Sequence, residues 1–211
     1  MNKITVLAGA MLSLSVACSS CNNENNQKLK SKFNMEQKVV GSSGLPTADI
    51  WVKSPLRNCL KLKLYANVQE VWAIVGDPRK MPEYSEGLSK VEAEFDDKGN
   101  CNGYTCYFKP MEGEKEGVVH HSNMKWYEKN KGWASVDPDD NPFGMLQSLS
   151  LMTVQPQPEG TVFTWQFHFN CENEEMLNYN KDGYKKALDD IAQRLIKMFG
   201  GTVIENYMEG R

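Results

Sequence analysis

From Leu60 to Tyr84 the chain reads LKLKLYANVQEVWAIVGDPRKMPEY, a two-residue alternation that turns abruptly into a helical period. Leu60, Leu62 and Leu64 share one face and Lys61 and Lys63 the other, so Asn58 to Tyr65 is expected as a half-buried strand. Asn67 is a cap for a helix beginning at Val68, and Val71, Trp72 and Val75 fall on one stripe of it. Gly76-Asp77-Pro78 ends that helix, and Arg79 to Tyr84 is expected as a second short helix around Pro82.

The rest of the chain answers this opening with strands and one long helix. Alternation and turn chemistry predict strands over Ser89–Phe95, Gly103–Phe108, Gly117–Tyr127, Gly132–Val136, Met145–Gln155 and Thr161–Asn170. Short polar turns between them imply a meandering antiparallel sheet. Glu174 to Phe199 reads as one helix, with Tyr184, Leu188, Ile191, Leu195 and Phe199 at intervals of three and four, stopped by Gly200-Gly201. Gly183 is a weak point where a kink is expected, at a cost of about 1 kcal/mol relative to Ala. The predicted order is strand, two short helices, six strands, long helix, an α+β arrangement.

The N-terminus has a different character. Lys3 precedes an apolar stretch from Ile4 to Val16, too short for a stable bilayer span, which ends at Ser15-Val16-Ala17-Cys18. The pattern is similar to the lipobox of bacterial lipoproteins, although Ser15 stands where a Leu is usual. Residues 1–17 are therefore expected to be a signal peptide and Cys18 the lipidated residue, the alternative being plain secretion of a soluble product. Acyl chains on Cys18 would make attachment stable, since each buried methylene contributes about 0.8 kcal/mol. Residues 18–50, dominated at first by Asn, Lys, Gln and Ser, read as a polar tether, and 51–208 as the folded domain. This places the protein in the bacterial cell envelope.

Charge excludes one class of partner. Lys plus Arg total 24 against 27 Asp plus Glu, a net charge of −3, interspersed along the chain; a nucleic-acid binder would show a basic face. Beyond the lipobox stand Cys59, Cys101, Cys106 and Cys171, which allow three pairings, and no CxxC or His-rich spacing among them indicates a metal.

The element order, with Val68 to Pro82 (VQEVWAIVGDPRKMP) and Gly160 to Phe169 (GTVFTWQFHF), resembles the START-like or SRPBCC superfamily, Bet v 1-like helix-grip proteins, in its polyketide cyclase/dehydrase and lipid-transport branch. The resemblance covers Leu56 to Tyr207. It implies a seven-stranded curved antiparallel sheet around the C-terminal helix, with two short helices after the first strand and a ligand cavity between helix and sheet. The cavity candidates that follow from the resemblance, with alternation choosing the inward face of the strands, are Trp72, Tyr84, Tyr104, Phe108, His120, Met124, Trp126, Phe143, Trp165, Phe167, Leu188 and Ile191, with plain core packing as the competing reading. The same topology makes the first and last strands neighbours and so implies that Cys59 and Cys171 lie close enough to bridge. Cys101 and Cys106 are too far apart in one strand to bond unless a turn intervenes.

His120-His121 is the strongest hint of chemistry, but adjacent residues in a strand face opposite ways and cannot serve one metal or one base. No catalytic residue and no cofactor is assigned. Asp137-Pro138-Asp139-Asp140-Asn141 reads as a solvated turn, since it lacks the Gly and distal Glu of a calcium loop. The expected function is a monomeric, lipid-anchored envelope protein binding a hydrophobic small molecule or lipid. The alternatives are a cyclase/dehydrase-like enzyme or an interaction module with a filled core.

Overall fold

The computed structural model describes residues 44–110 and 115–210. The leader, Cys18 and the tether up to residue 43 lie outside them.

Strand β1 (Leu56–Leu64) is followed by helix α1 (Val68–Val75), a 3-10 turn at Pro78–Lys80 and the short helix α2 (Met81–Tyr84). Five strands in series come next: β2 (Leu88–Phe95), β3 (Cys101–Phe108), β4 (Val119–Glu128), β5 (Gly132–Val136) and β6 (Met145–Gln157). Strand β7 (Gly160–Cys171), helix α3 (Glu174–Phe199) and strand β8 (Gly201–Met208) complete the fold. One curved antiparallel sheet results, ordered β2-β3-β4-β5-β6-β7-β1-β8, with α3 against its concave face; this is the helix-grip architecture.

The strand count is eight rather than seven. Strand β8 pairs with β1 from Leu64↔Gly201 to Asn58↔Met208. It escapes an alternation search because it is an edge strand: Thr202 to Glu205 are all exposed, so no apolar face is written into it. Gly201 starts it at φ 137°, where an added Cβ would stand 2.1 Å from the Lys63 carbonyl oxygen.

Local chemistry sets the helices. Asn67 caps α1 reciprocally: its Oδ1 accepts from the Glu70 N–H at 3.0 Å, and its own N–H donates to Glu70 Oε2 at 3.0 Å. At the other end of α1, Gly76 has no side chain because Trp72 lies across it; a Cβ there would meet the indole at 2.3 Å. The exposed end of α1 is answered from the sheet, where Trp133 Nε1 donates to the Val75 carbonyl (3.2 Å) and Tyr127 Oη to that of Gly76 (3.0 Å). Helix α3 is capped by Asn173, whose Oδ1 accepts from the Met176 N–H at 2.9 Å. It runs unbroken through Gly183, which faces open space, so the expected kink is not needed.

The main core lies between α3, α1 and the concave face. Leu60, Leu62, Leu64, Trp133, Phe163, Phe169, Leu188 and Leu195 are fully enclosed there. A second, smaller cluster sits on the convex face, where Ala48, Trp51 and Val52 pack on Ala134, Leu149 and Leu151. The last residues of the expected tether thus form a 3-10 turn, Ala48–Ile50, laid on the sheet and held by Ser54 Oγ donating to the Gln147 carbonyl at 2.7 Å.

Two irregularities decide which side chains face α3. The β4–β5 register slips between Met124 and Trp126, so that Met124 sits opposite Ser135 and Trp126 opposite Ala134. The extra residue reverses the alternation. Tyr127 therefore faces inward, 5.5 Å from Trp72, and Trp126 packs on the convex cluster. A second slip in β6, between Leu146 and Leu149, passes through Gln147 at φ 49°. It places Met145 and Ser148 on the concave side and Leu149 on the convex side.

The cysteines do not pair as the family topology implied. All four cysteines of the described domain, Cys59, Cys101, Cys106 and Cys171, are free. The β1–β7 register sets Cys59 opposite Gln166, five residues short of Cys171, which pairs with Met145 of β6 instead. Cys171 faces the helix and accepts from Asn180 Nδ2 at 3.6 Å, while Cys59 is buried against β8 with its thiol pushed up to about 11 by burial.

Candidate functional site

The concave face has two parts of different composition. Across β7 and β1 it is aromatic and aliphatic. Trp165 is the hub, with Trp133 at 5.6 Å, Phe167 at 5.3 Å, Phe163 at 6.2 Å and Tyr84 at 6.4 Å between ring centroids. Phe167 stacks on Tyr184 of α3 at 4.2 Å. Leu188 and Ile191 close this part from the helix side. Trp72, Tyr84, Trp165, Phe167, Leu188 and Ile191 are therefore brought into one cluster, as the sequence suggests.

Across β4, β5 and β6 the inward positions mix apolar side chains such as Trp133 and Met152 with a set of polar ones. Ser122, Ser135, Ser148 and Ser150 are all buried. Each hydroxyl is used: Ser135 Oγ meets Tyr104 Oη at 2.9 Å, and Ser150 Oγ accepts from Trp165 Nε1 at 2.7 Å. The other two serve Asp137. Ser122 Oγ donates to Asp137 Oδ1 at 2.6 Å, and Ser148 Oγ to Oδ2 at 2.7 Å.

Asp137 is the centre of this wall and corrects the sequence reading of a solvated turn. It stands just past the end of β5 with its side chain only 7% exposed and His120 Nε2 2.9 Å from its Oδ1. Burial pushes its carboxyl up, but the hydrogen bonds it accepts from His120 and the two serine hydroxyls outweigh that and hold it below the ordinary carboxylate value. Its charge is felt nearby. The Cys106 thiol is raised to about 12, first by burial and then by Asp137, and the Tyr104 and Tyr184 hydroxyls are raised well above 10 in the same way. Cys106 is thus a thiol and not a nucleophile.

His120 is buried too, and only one of its ring nitrogens is satisfied. Nδ1 is enclosed without a hydrogen-bond partner among the described residues. Phe143 covers the ring at 5.3 Å and in turn meets Phe108 at 5.4 Å, both T-shaped. Phe108, Phe143 and Met124 are only partly buried, as is Tyr184, so this end of the helix–sheet space borders the exterior. The backbone under Phe143 is tied down by Asn141, whose Nδ2 donates to the Pro138 and Met145 carbonyls, and by Asn180 Nδ2, which donates to the Phe143 carbonyl at 3.0 Å.

The structure thus brings Tyr104, Phe108, His120, Met124 and Phe143 together on the polar side of the interior and removes Trp126 to the other face. Asp137, Ser122, Ser148 and Tyr184 were not among the candidates. Ser122 was legible, since it shares a face with His120 two residues away. Asp137 was not, because nothing local distinguishes a buried strand-end carboxylate from a turn residue.

Two open clefts lie outside the helix–sheet space. One of about 530 Å³ runs between residues 45–56 and the convex face and includes His168, whose Nδ1 meets the Ser54 carbonyl at 3.3 Å. Burial lowers the His168 pKa. The other, about 550 Å³, lies between α3 and β8. Among the described residues no helix is long and apolar enough to cross a membrane, and no group of three or more His, Cys, Asp or Glu is placed to hold a metal ion.

An antiparallel sheet gripping one long helix, with a largely aromatic interior and a cluster of polar side chains on one wall, is the site-bearing form of the helix-grip fold. The family model for polyketide cyclase / dehydrase and lipid transport matches residues 63–195, more than half of the chain, and the chain belongs to that family. No curated protein matches it. Similar solved structures include the Bacillus cereus protein XoxI, at TM-score 0.51 and 14% identity over 66% of this chain and 95% of that one. A Thermobifida fusca protein matches at TM-score 0.50 and 18% identity, over 66% and 93%. Mycobacterium smegmatis Ms6760 matches at TM-score 0.50 and 16% identity, over 66% and 88%. At these identities the likeness is one of fold.

Proposed function

We propose that this protein is an envelope lipoprotein that holds a hydrophobic small molecule or lipid between α3 and the concave sheet, as a monomer anchored through Cys18. The observation that carries the reading is the half-exposed apolar border of the interior, where Phe108, Met124, Phe143 and Tyr184 stand partly open to solvent. Apolar side chains converging on a few placed polar groups are the usual composition of a small-molecule site. The family description adds lipid transport as a known role of such folds. The lipobox-like Ser15-Val16-Ala17-Cys18 supports the anchor, and the polar run from Ser19 to Ser43 would hold the domain off the bilayer.

Native mass spectrometry of protein extracted gently from membranes tests the binding. A co-purifying lipid-sized mass is expected, and repeated recovery of the bare chain would turn the reading toward a filled interaction module. Cys18→Ser is expected to move the protein from the membrane to the soluble fraction; retention on the membrane would defeat the anchor. The second reading, a cyclase/dehydrase-like enzyme, is favoured by the buried His120–Asp137 pair, whose geometry is that of an oriented general base. Full turnover by His120→Ala on any discovered substrate would remove that residue from catalysis.

A further inference from the structure

His120 is held by a carboxylate on one side and left open on the other. Asp137 accepts from His120, Ser122 and Ser148, so its oxygens meet only donors. The proton on His120 is therefore fixed at Nε2, and in the neutral ring Nδ1 carries a lone pair. That lone pair is buried and has no partner among the described residues, whereas the four serine hydroxyls of the same wall and Tyr104 and Trp165 all have one. A buried acceptor left without a donor carries its full desolvation penalty. The ring packed edge-on against this imidazole is Phe143, a partly exposed side chain on a tied backbone, so the unpaired nitrogen belongs to the part of the interior nearest solvent.

We propose that His120 Nδ1 is the polar anchor of the ligand site, and that it selects a neutral, mainly apolar molecule bearing one hydroxyl or N–H donor. This rests on the reading that the helix–sheet space takes a hydrophobic ligand. The donor lies against the imidazole near Phe108 and Phe143, and the apolar body extends toward Tyr184 and Phe167. A carboxylate is disfavoured there because the nearest charge, Asp137, is negative and already fully supplied with donors, and its field in a low-dielectric interior repels a second anion. The anchor thus separates alcohols from fatty acids of like size, by the unpaired-group penalty on one side and like-charge repulsion on the other.

The test uses three probes of one shape, 2-naphthol, naphthalene and 2-naphthoate, titrated into the full chain at pH 8 by calorimetry, with the His120 ring nitrogens followed by 15N NMR. The expected result is 2-naphthol about tenfold tighter than naphthalene, as one added hydrogen bond allows, and at least about tenfold tighter than 2-naphthoate. The His120 Nδ1 resonance moves with 2-naphthol alone, and in His120→Phe the preference for 2-naphthol over naphthalene is lost. The resonance is read on unaltered protein, so the test stands even if the variant does not fold. Equal binding of 2-naphthol and naphthalene with an unmoved Nδ1 overturns the anchor and leaves the hydrophobic site intact. Tightest binding of 2-naphthoate overturns the selection for a donor. Binding of none of the three overturns the site and the anchor together.

Discussion

The two parts of the concave face do opposite work with the same backbone geometry. Where β1 and β7 meet α3, Leu60, Leu62, Leu64 and Phe163 are wholly enclosed in an apolar cluster, and one buried polar side chain, Asn58, donates to the Lys181 carbonyl of the helix at 3.0 Å. Across β4 to β6 the inward positions include four serines, His120 and Asp137, each hydrogen-bonded to one another or to Tyr104 and Trp165, with one His120 nitrogen left over. One half derives its order from packing and would lose it gradually as atoms are removed. The other derives its order from a satisfied polar network, in which one missing partner matters more than a missing methylene. Scaffold and site are thus adjacent strands of one sheet, and the difference lies in side-chain chemistry alone.

Cutting into the packed half should give the largest effect. Phe163→Ala is expected to lose about 3–5 kcal/mol in chemical denaturation, and a loss below about 1 kcal/mol would show that this half is not close-packed. In the polar half, Asp137→Asn keeps the shape and removes the charge, with an expected loss of about 2–3 kcal/mol at pH 7. Because the Asp137 pKa is lowered on folding, its contribution is fully present above the ordinary carboxylate value and is lost as pH falls through the lower folded one. The gap between wild type and Asp137→Asn should therefore narrow below about pH 4; a gap that stays constant would mean that Asp137 is not charged in the folded protein. Trp126→Ala, on the convex face, should cost about 1–2 kcal/mol and leave ligand binding unchanged. A changed affinity would place Trp126 inside after all. The smallest effect is a gain: Gly183→Ala on the open side of α3 should stabilise by about 0.5–1 kcal/mol, read as a raised denaturation midpoint.

The packed half was legible in the sequence because it obeys period alone. Leu60-Leu62-Leu64, Phe163 to Phe169 and Leu188 to Leu195 each repeat at the spacing of their element, and each faces where that spacing puts it. The site half was legible only in part. His120 and Ser122 follow the period, but Trp126 does not, since the extra residue between Met124 and Trp126 reverses the count. No local signal marks such a bulge. Asp137 is brought to His120 by a sheet register that no short window of sequence contains, and the same is true of Ser148. Strand β8 was invisible for a third reason: at an edge, with Thr202 to Glu205 all exposed, its first half holds no alternation to read.

The end of α1 carries a consequence for traffic. Its last carbonyls are held by Trp133 and Tyr127, side chains rooted in β5 and β4, and Gly76 lets Trp72 close over the joint. That corner is a riveted jamb, and swinging it would break two hydrogen bonds and unseat an indole at once. On the proposed reading, admission to the interior therefore falls to the side of Phe143, where a partly exposed ring stands on a tied backbone. A container with so fixed a corner would exchange its contents without unfolding it, so its slowest-exchanging amides are expected in α1 and β5, read by hydrogen exchange with and without a bound probe.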